Sequence, residues 1–392
     1  MKTTCFGKVV FLWKLHYRCR LLVPVLVVGA LWLLYWRRTQ FDYDQEKPSF
    51  RALAKVWGPD GKPKSPNIKE PMIGYDSSVD CNELVEDFLY ANDSMRLRFA
   101  GSISRQHFVY NSDLRLYTYN GRKILWTFWD FAPMPAFLKL SLLSIKCHNE
   151  PLAQLIVLNT EAVQQLLDRK LHEAFHYMIP AHKADYIRGR ILEQFGGFWF
   201  DADSIGFGPL IGQYDYLKSI DMFGYSWEPA RQNIGMGLIG PVIAKSDFLV
   251  AMVRQVEETL DYHLPRMKYS NRDTISWTEI LGDIWIPGLD RFVGSGRLRF
   301  DSAPGAWTYG QLVLLYLRSI FRPHTGPLFQ LNPTPLLIYH NSQVPDSLRT
   351  SNLTEFLSWR TLIHALFKES FAQCHLVSKG CFGQRINQLF VT

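Results

Sequence analysis

The alternation of apolar and polar positions is clearest from residue 123 onward. Lys123-Ile124-Leu125-Trp126-Thr127-Phe128-Trp129 is an apolar run of strand length that ends at Asp130. From Pro135 the spacing becomes helical, with Phe137, Leu140, Ser141, Ser144 and Ile145 on one face and a stop near His148-Asn149-Glu150-Pro151. Residues 153–158, AQLIVL, predict a second buried strand and 161–170 a second helix. A third helix runs through 182–195: Ala184, Ile187, Ile191 and Phe195 form its apolar stripe, while Asp185 and Arg188 lie together on another face. Gly196 supplies the helix stop, and Phe198-Trp199-Phe200 is a strand aimed at Asp201-Ala202-Asp203. Strands alternating with helices imply an α/β fold with a mostly parallel central sheet, in which ligands bind at the carboxyl ends of strands.

That places the chemistry at residues 201–203. On an extended strand, positions i and i+2 share a face, so Asp201 and Asp203 would lean together toward one divalent ion and the phosphates it carries. Mn²⁺ or Mg²⁺ suits such a site, because these ions take one or two carboxylates and complete their shell with phosphate oxygens. Two bland alternatives stand beside this reading. An Asp-x-Asp also occurs on solvated strand edges, and Asp185 with Arg188 also reads as an i,i+3 surface ion pair. Trp126 serves either as core packing or as a stacking surface for a base.

Charge changes the picture only at the amino end. The formal net charge is +7, yet Lys2, Lys8, Lys14, Arg18, Arg20, Arg37 and Arg38 all fall in residues 1–40, where there is no Asp or Glu. The other 36 Lys and Arg equal the 36 Asp and Glu, so the body is neutral and the basic balance excludes a nucleic-acid partner as its explanation. The basic residues bracket LLVPVLVVGALWLLYW, residues 21–36. As a helix this covers about 24 Å, short of a hydrocarbon core of roughly 30 Å, so Arg20 and Arg37 would have to snorkel. A span of this length suits a thin, early secretory-pathway bilayer. Five Lys and Arg precede it and two follow, which predicts a cytosolic tail at 1–20, a transmembrane anchor at 21–36 and a lumenal body. Tyr35-Trp36-Arg37 is too bulky for the small residues of a signal-peptide cleavage site.

Residues 37–100 read as a stem, with Pro48, Pro59, Pro63, Pro66 and Pro71 and a possible helix at 81–91; the catalytic body is expected at 101–392. Cys81, Cys147, Cys374 and Cys381 would be lumenal, an even number in an oxidising compartment, with three pairings open and a 374–381 bridge among them. Asn92-Asp93-Ser94 and Asn352-Leu353-Thr354 are glycosylation sequons that agree with a lumenal body.

The run HKADYIRGRILEQFGGFWFDADSI, with the upstream ILWTFWD, MPAFLKLSLLSIKCHNE and QLIVLN, resembles the glycosyltransferases of family 32, which carry a sugar-binding DXD region, and related capsular-polysaccharide-synthesis proteins. The resemblance covers about 123–210. It implies a GT-A nucleotide-diphospho-sugar transferase fold, a single-pass type II Golgi membrane topology with the catalytic domain lumenal, and transfer of a hexose or N-acetylhexosamine to a glycan or glycolipid acceptor with retention of the donor anomer.

Carried over by position, Asp203 would bind the metal bridging the diphosphate, and Asp201 would touch the metal site and the ribose or donor sugar. Asp185 and Arg188 match positions lining the donor pocket, with Lys183 and Trp126 as further substrate-binding candidates and Asp185, Asp201 and Asp203 as catalytic ones. Glu228 and Asn233 fall in a segment that faces the acceptor, although Asn-Ile-Gly-Met-Gly departs from the Asn-Gly often found there. His340, at the end of the apolar run Pro335-Leu336-Leu337-Ile338-Tyr339, is a candidate third metal ligand, since several GT-A enzymes complete the site with a late histidine. Two other functions compete. One is a Golgi binding protein that keeps the fold without turnover. The other is a haloacid-dehalogenase phosphatase, where an Asp-x-Asp after an apolar strand supplies a nucleophile.

Overall fold

The computed structural model describes residues 103–130, 134–149, 152–226, 234–304, 336–338, 346–358 and 361–377. All of them belong to the unit spanning Asp60–Thr392. The anchor at 21–36, the stem and the possible helix at 81–91 lie outside the described residues. Among the described residues no helix is long and apolar enough to cross a membrane.

A hairpin of β1 (Phe108–Asn111) and β2 (Leu116–Tyr119) precedes β3 (Lys123–Phe128), α1 (Ala136–Asn149), β4 (Ala153–Leu158), α2 (Thr160–Leu166), α3 (Pro180–Phe195) and β5 (Gly197–Phe200). The chain continues through β6 (Ser204–Gly206), β7 (Met222–Ser226), β8 (Ile234–Val242), α4 (Asp247–Ser270), α5 (Ile286–Gly294), β9 (Phe300–Pro304) and β10 (Leu336–Ile338). It ends with α6 (Asp346–Thr350), α7 (Leu353–Ser358) and α8 (Leu362–Val377). The main sheet has six strands in the order β4-β3-β5-β8-β7-β9. β3 pairs in parallel with both β4 and β5, and β7 with β9, while β8 runs antiparallel between β5 and β7. This is the mixed α/β architecture with a mostly parallel sheet that the strand-helix alternation implies.

Side chains of alternate strand positions feed two separate cores, because both faces of the sheet are covered. Ile124, Trp126, Phe128, Ile156, Leu158 and Trp199 join Ile187, Ile191 and Phe195 of α3 and Leu249, Met252 and Val256 of α4 on one face. Leu125, Leu155, Phe198, Phe200 and Leu238 join Leu142 and Ile145 of α1 on the other. The expected single stripe on α1 is exceeded, since it is buried on nearly every side, packed between β6 and α8.

One helix is shorter than its sequence predicts. α2 stops at Leu166 instead of running to 170, because tertiary partners claim the carbonyls that the next turn would use. Arg105 donates to Gln165 O at 2.9 Å and to Leu166 O at 2.6 Å, and Gln194 Nε2 donates to Leu166 O at 3.0 Å; beyond the helix end the buried Arg190 donates to Arg169 O at 2.8 Å and to Lys170 O at 3.2 Å. Arg190 also reaches Glu257 of α4 at 2.9 Å and Tyr186 Oη at 2.6 Å, tying α3, α4 and this loop together.

On the opposite face Cys147 of α1 is disulfide-bonded. His148 beside it is 2% exposed and donates Nε2–H to Ser370 O of α8 at 3.1 Å. Burial lowers its pKa to about 4, against the smaller upward pull of that carbonyl. A depressed pKa means that the folded state resists the proton, so this contribution to stability is complete above about pH 6.5 and is lost as pH falls toward 4. Denaturant titrations at pH 7 and pH 4.5 should differ by about 2–3 kcal/mol more in wild type than in His148→Gln.

Candidate functional site

The site is built where β5 ends. α3 opens with Pro180 at its first turn and closes at Gly196, whose N–H reaches Leu192 O at 2.9 Å with φ at 68°. A Cβ on Gly196 would meet Val242 O at 2.6 Å and Ala244 N at 2.7 Å. Only glycine permits this turn, which drops the chain directly from α3 into β5. Trp199 therefore points to the α3 face, and Asp201, two residues on, follows it there.

Asp201 and Asp203 do not share a strand face, as the period-two reading expected. β5 ends at Phe200 and β6 begins at Ser204, so residues 201–203 form the bend between them. The last ladder bond to β8 is Asp201 N–H to Gly237 O at 2.8 Å. Beyond it the chain leaves the main sheet, and β6 pairs with β10 in a separate two-stranded sheet.

Arg188 is the centre of the cluster. Its side chain is 2% exposed, and Nη2 donates to Asp201 Oδ1 at 2.7 Å and lies 3.2 Å from Asp185 Oδ1. The i,i+3 pair expected from the sequence is thus present, but it is buried and bridged to the bend. Trp199 Nε1 also donates to Asp201 Oδ1 at 3.1 Å, and the Trp199 ring centre lies 5.4 Å from the guanidinium carbon. Both contacts fix Asp201 Oδ1. Among the described residues, Arg188 Nε and Nη1 have no hydrogen-bond partner. Leaving buried donors unmade costs about 1–3 kcal/mol each, a deficit that a structural ion pair alone would not carry.

Burial raises the Asp185 pKa to about 6; Arg188 opposes that shift and Asp201 reinforces it. The Arg188 charge thus offsets the burial of Asp185 and its repulsion by the partly exposed Asp201.

The remaining sequence candidates divide. Lys183 is on α3 but turned away, its ammonium 5.0 Å above the Phe175 ring. Trp126 corrects the base-stacking option: it is 0% exposed, donates Nε1–H to Gly196 O at 2.9 Å, and stacks at 5.8 Å on Phe108. It holds the α3–β5 turn and offers no face to a ligand. Glu228, Asn233 and His340 lie outside the described residues. Among the described residues no group of three or more His, Cys, Asp or Glu side chains is arranged to hold a metal ion. Reading the sequence missed the links from Trp199 to Asp201 and from His182 to Asp273, the latter spanning 91 positions with no local signal.

No family model matches the chain, and no curated protein does. Among solved structures, two of the glycosyltransferase GlyE from Streptococcus pneumoniae TIGR4, one of them an apo form, are similar to it. They align with TM-scores of 0.36 and 0.35 at 14% and 15% identity. The alignments cover 68% of this chain and 64% of theirs, so the chain spans less than two thirds of that protein's length. Similarity of this extent fixes neither activity nor substrate, and the family 32 resemblance rests on the residues that carry it.

Replacing Arg188 with Met should leave Asp185 and Asp201 together without a cation and cost about 3–5 kcal/mol of stability at neutral pH. Because Asp185 has a raised pKa, its ionisation opposes folding as pH climbs through 6. The loss measured by urea denaturation should therefore be larger at pH 8 than at pH 5.

Proposed function

We propose that this chain is a retaining glycosyltransferase that moves a hexose or N-acetylhexosamine from a nucleotide-diphosphate sugar to a glycan or glycolipid acceptor. The observation that carries the reading is the buried Arg188 guanidinium, whose Nε and Nη1 have no hydrogen-bond partner among the described residues, beside the carboxylates at the carboxyl end of β5. A diphosphate supplies acceptors for those two donors. The carboxyl ends of strands are also where open α/β sheets bind their ligands.

The carboxylates of Asp201 and Asp203 supply hard oxygen donors that fit Mn²⁺ or Mg²⁺, ions held by one or two carboxylates with phosphate oxygens completing the shell. We assign His340 as a third ligand; β10 pairs antiparallel with β6, Ile338 opposite Ser204, so the strand runs toward the Asp203 end. When bound, the ion would neutralise charge growing on the leaving diphosphate. Arg188 does the same from the protein side, and it is already desolvated and oriented, so no reorganisation is needed as the bond breaks. Asp201 holds Arg188 in place, and we assign Asp185 as an acceptor for a substrate hydrogen bond. The bond from the anomeric carbon to the diphosphate oxygen breaks and one to the acceptor hydroxyl oxygen forms, giving a glycoside, a nucleoside diphosphate and a proton.

A type II Golgi membrane setting, with the catalytic body lumenal, belongs to the same proposal. It is supported by the basic-flanked apolar stretch at 21–36, by the oxidised state of Cys147, and by the sequon at Asn352, an exposed residue at the start of α7.

Purified protein incubated with UDP- and GDP-sugars and Mn²⁺ should hydrolyse or transfer at least one of them. Asp203→Asn should reduce that rate by about a hundredfold or more while keeping a melting temperature near wild type. Equal activity in the variant removes the metal site from the mechanism, and phosphatase activity without nucleotide-sugar affinity removes the transferase reading.

A further inference from the structure

His182 of α3 is buried, 2% exposed, and it lies one turn before Asp185. Its Nδ1 is 2.7 Å from Asp273 Oδ2, and the same oxygen accepts Ile179 N–H at 2.7 Å. Asp273 Oδ1 accepts Ile275 N–H at 2.9 Å. A carboxylate accepting three hydrogen bonds holds the proton on His182 Nδ1, so in the neutral imidazole the buried Nε2 is the acceptor. Among the described residues Nε2 has no hydrogen-bond partner. Asp273 needs Nδ1 to anchor the start of α3, but that anchoring uses nothing of Nε2. Beside the imidazole stands Trp277, 67% exposed, with its ring centre 6.0 Å from that of His182.

A buried acceptor of fixed tautomer next to an open indole face matches the two demands of a sugar ring. Its hydroxyls need hydrogen-bond partners, and its apolar C–H face needs an aromatic surface. Position along α3 supports the same assignment. His182 lies six positions before Arg188, about 9 Å along the helix axis and roughly 120° around it, with Asp185 between them, so a ligand clamped at Arg188 meets His182 only through a part that extends beyond its charged groups.

We propose that His182 Nε2 and the Trp277 ring form a carbohydrate subsite that receives the sugar of the nucleotide-diphosphate donor, with Nε2 accepting a sugar hydroxyl. This rests on the donor-site reading of Arg188. Asp273 is its positioning residue, acting through the tautomer of His182.

Calorimetric titration of the whole protein with Mn²⁺ separates the two claims. UDP, GDP, UDP-glucose, UDP-N-acetylglucosamine and GDP-mannose serve as probes, and the nucleotide that wild type binds is carried forward. His182→Phe and Trp277→Ala are each expected to weaken the nucleotide sugar about three- to tenfold while leaving the free nucleoside diphosphate within about twofold. Trp277 is exposed, so its variant decides the matter if His182→Phe proves unfolded. Unchanged nucleotide-sugar affinity, or equal loss for sugar-bearing and free nucleotide, overturns the subsite. If wild type binds neither nucleoside diphosphate, the donor-site reading fails and the subsite falls with it.

Discussion

A single buried guanidinium organises this end of the molecule. Arg188 lies between Asp185 on its own helix and Asp201 on the bend after β5, so it ties α3 to the sheet at the point where the chain leaves it. Burying a charge is costly unless partners surround it, and here two carboxylates share one cation that still has donors to spare. The surrounding sequence exists to hold that arrangement. Gly196 turns the chain without a Cβ, Trp126 fastens the turn through its indole N–H, and Trp199 orients Asp201 from the neighbouring position.

In the proposed reading the ligand is anionic at one end and neutral at the other. Near Arg188 a desolvated cation, with two N–H groups that have no partner among the described residues, is flanked by Asp201 and by the Asp185 carboxyl, whose pKa burial pushes up to about 6. One turn further, the His182–Asp273 pair offers an acceptor, and Trp277 an apolar face. A nucleotide sugar has this polarity along its length, a diphosphate followed by a ring of hydroxyls. Neither a simple phosphate ester nor a nucleic-acid strand does, and the neutral charge balance of the body beyond residue 40 agrees.

Much of the fold was legible because its elements are locally consistent. The strand at Ala153–Leu158 and the helix capped by Gly196 follow their apolar periodicity closely. The misreadings arose where partners distant in sequence decide the outcome. Arg105 and Gln194 end α2 by taking carbonyls, and departure from the main sheet bends residues 201–203 out of the extended form. The site was half legible for the same reason. Asp185, Arg188 and Asp201 lie within seventeen residues of one another, and helix geometry with a short turn brings them together. His182 and Asp273 meet only through tertiary packing, and Trp126, read as a possible stacking surface, belongs to the core because its strand is covered on both faces.

The central claim is that Arg188 keeps its open donors for the diphosphate of a sugar nucleotide. Diffraction from crystals grown with Mn²⁺ and the nucleotide that binds tests it directly. The expected map shows a phosphate oxygen within hydrogen-bond distance of Arg188 Nε or Nη1 and anomalous signal from manganese at Asp203. A nucleotide seated elsewhere, with Arg188 still facing no acceptor, would contradict it.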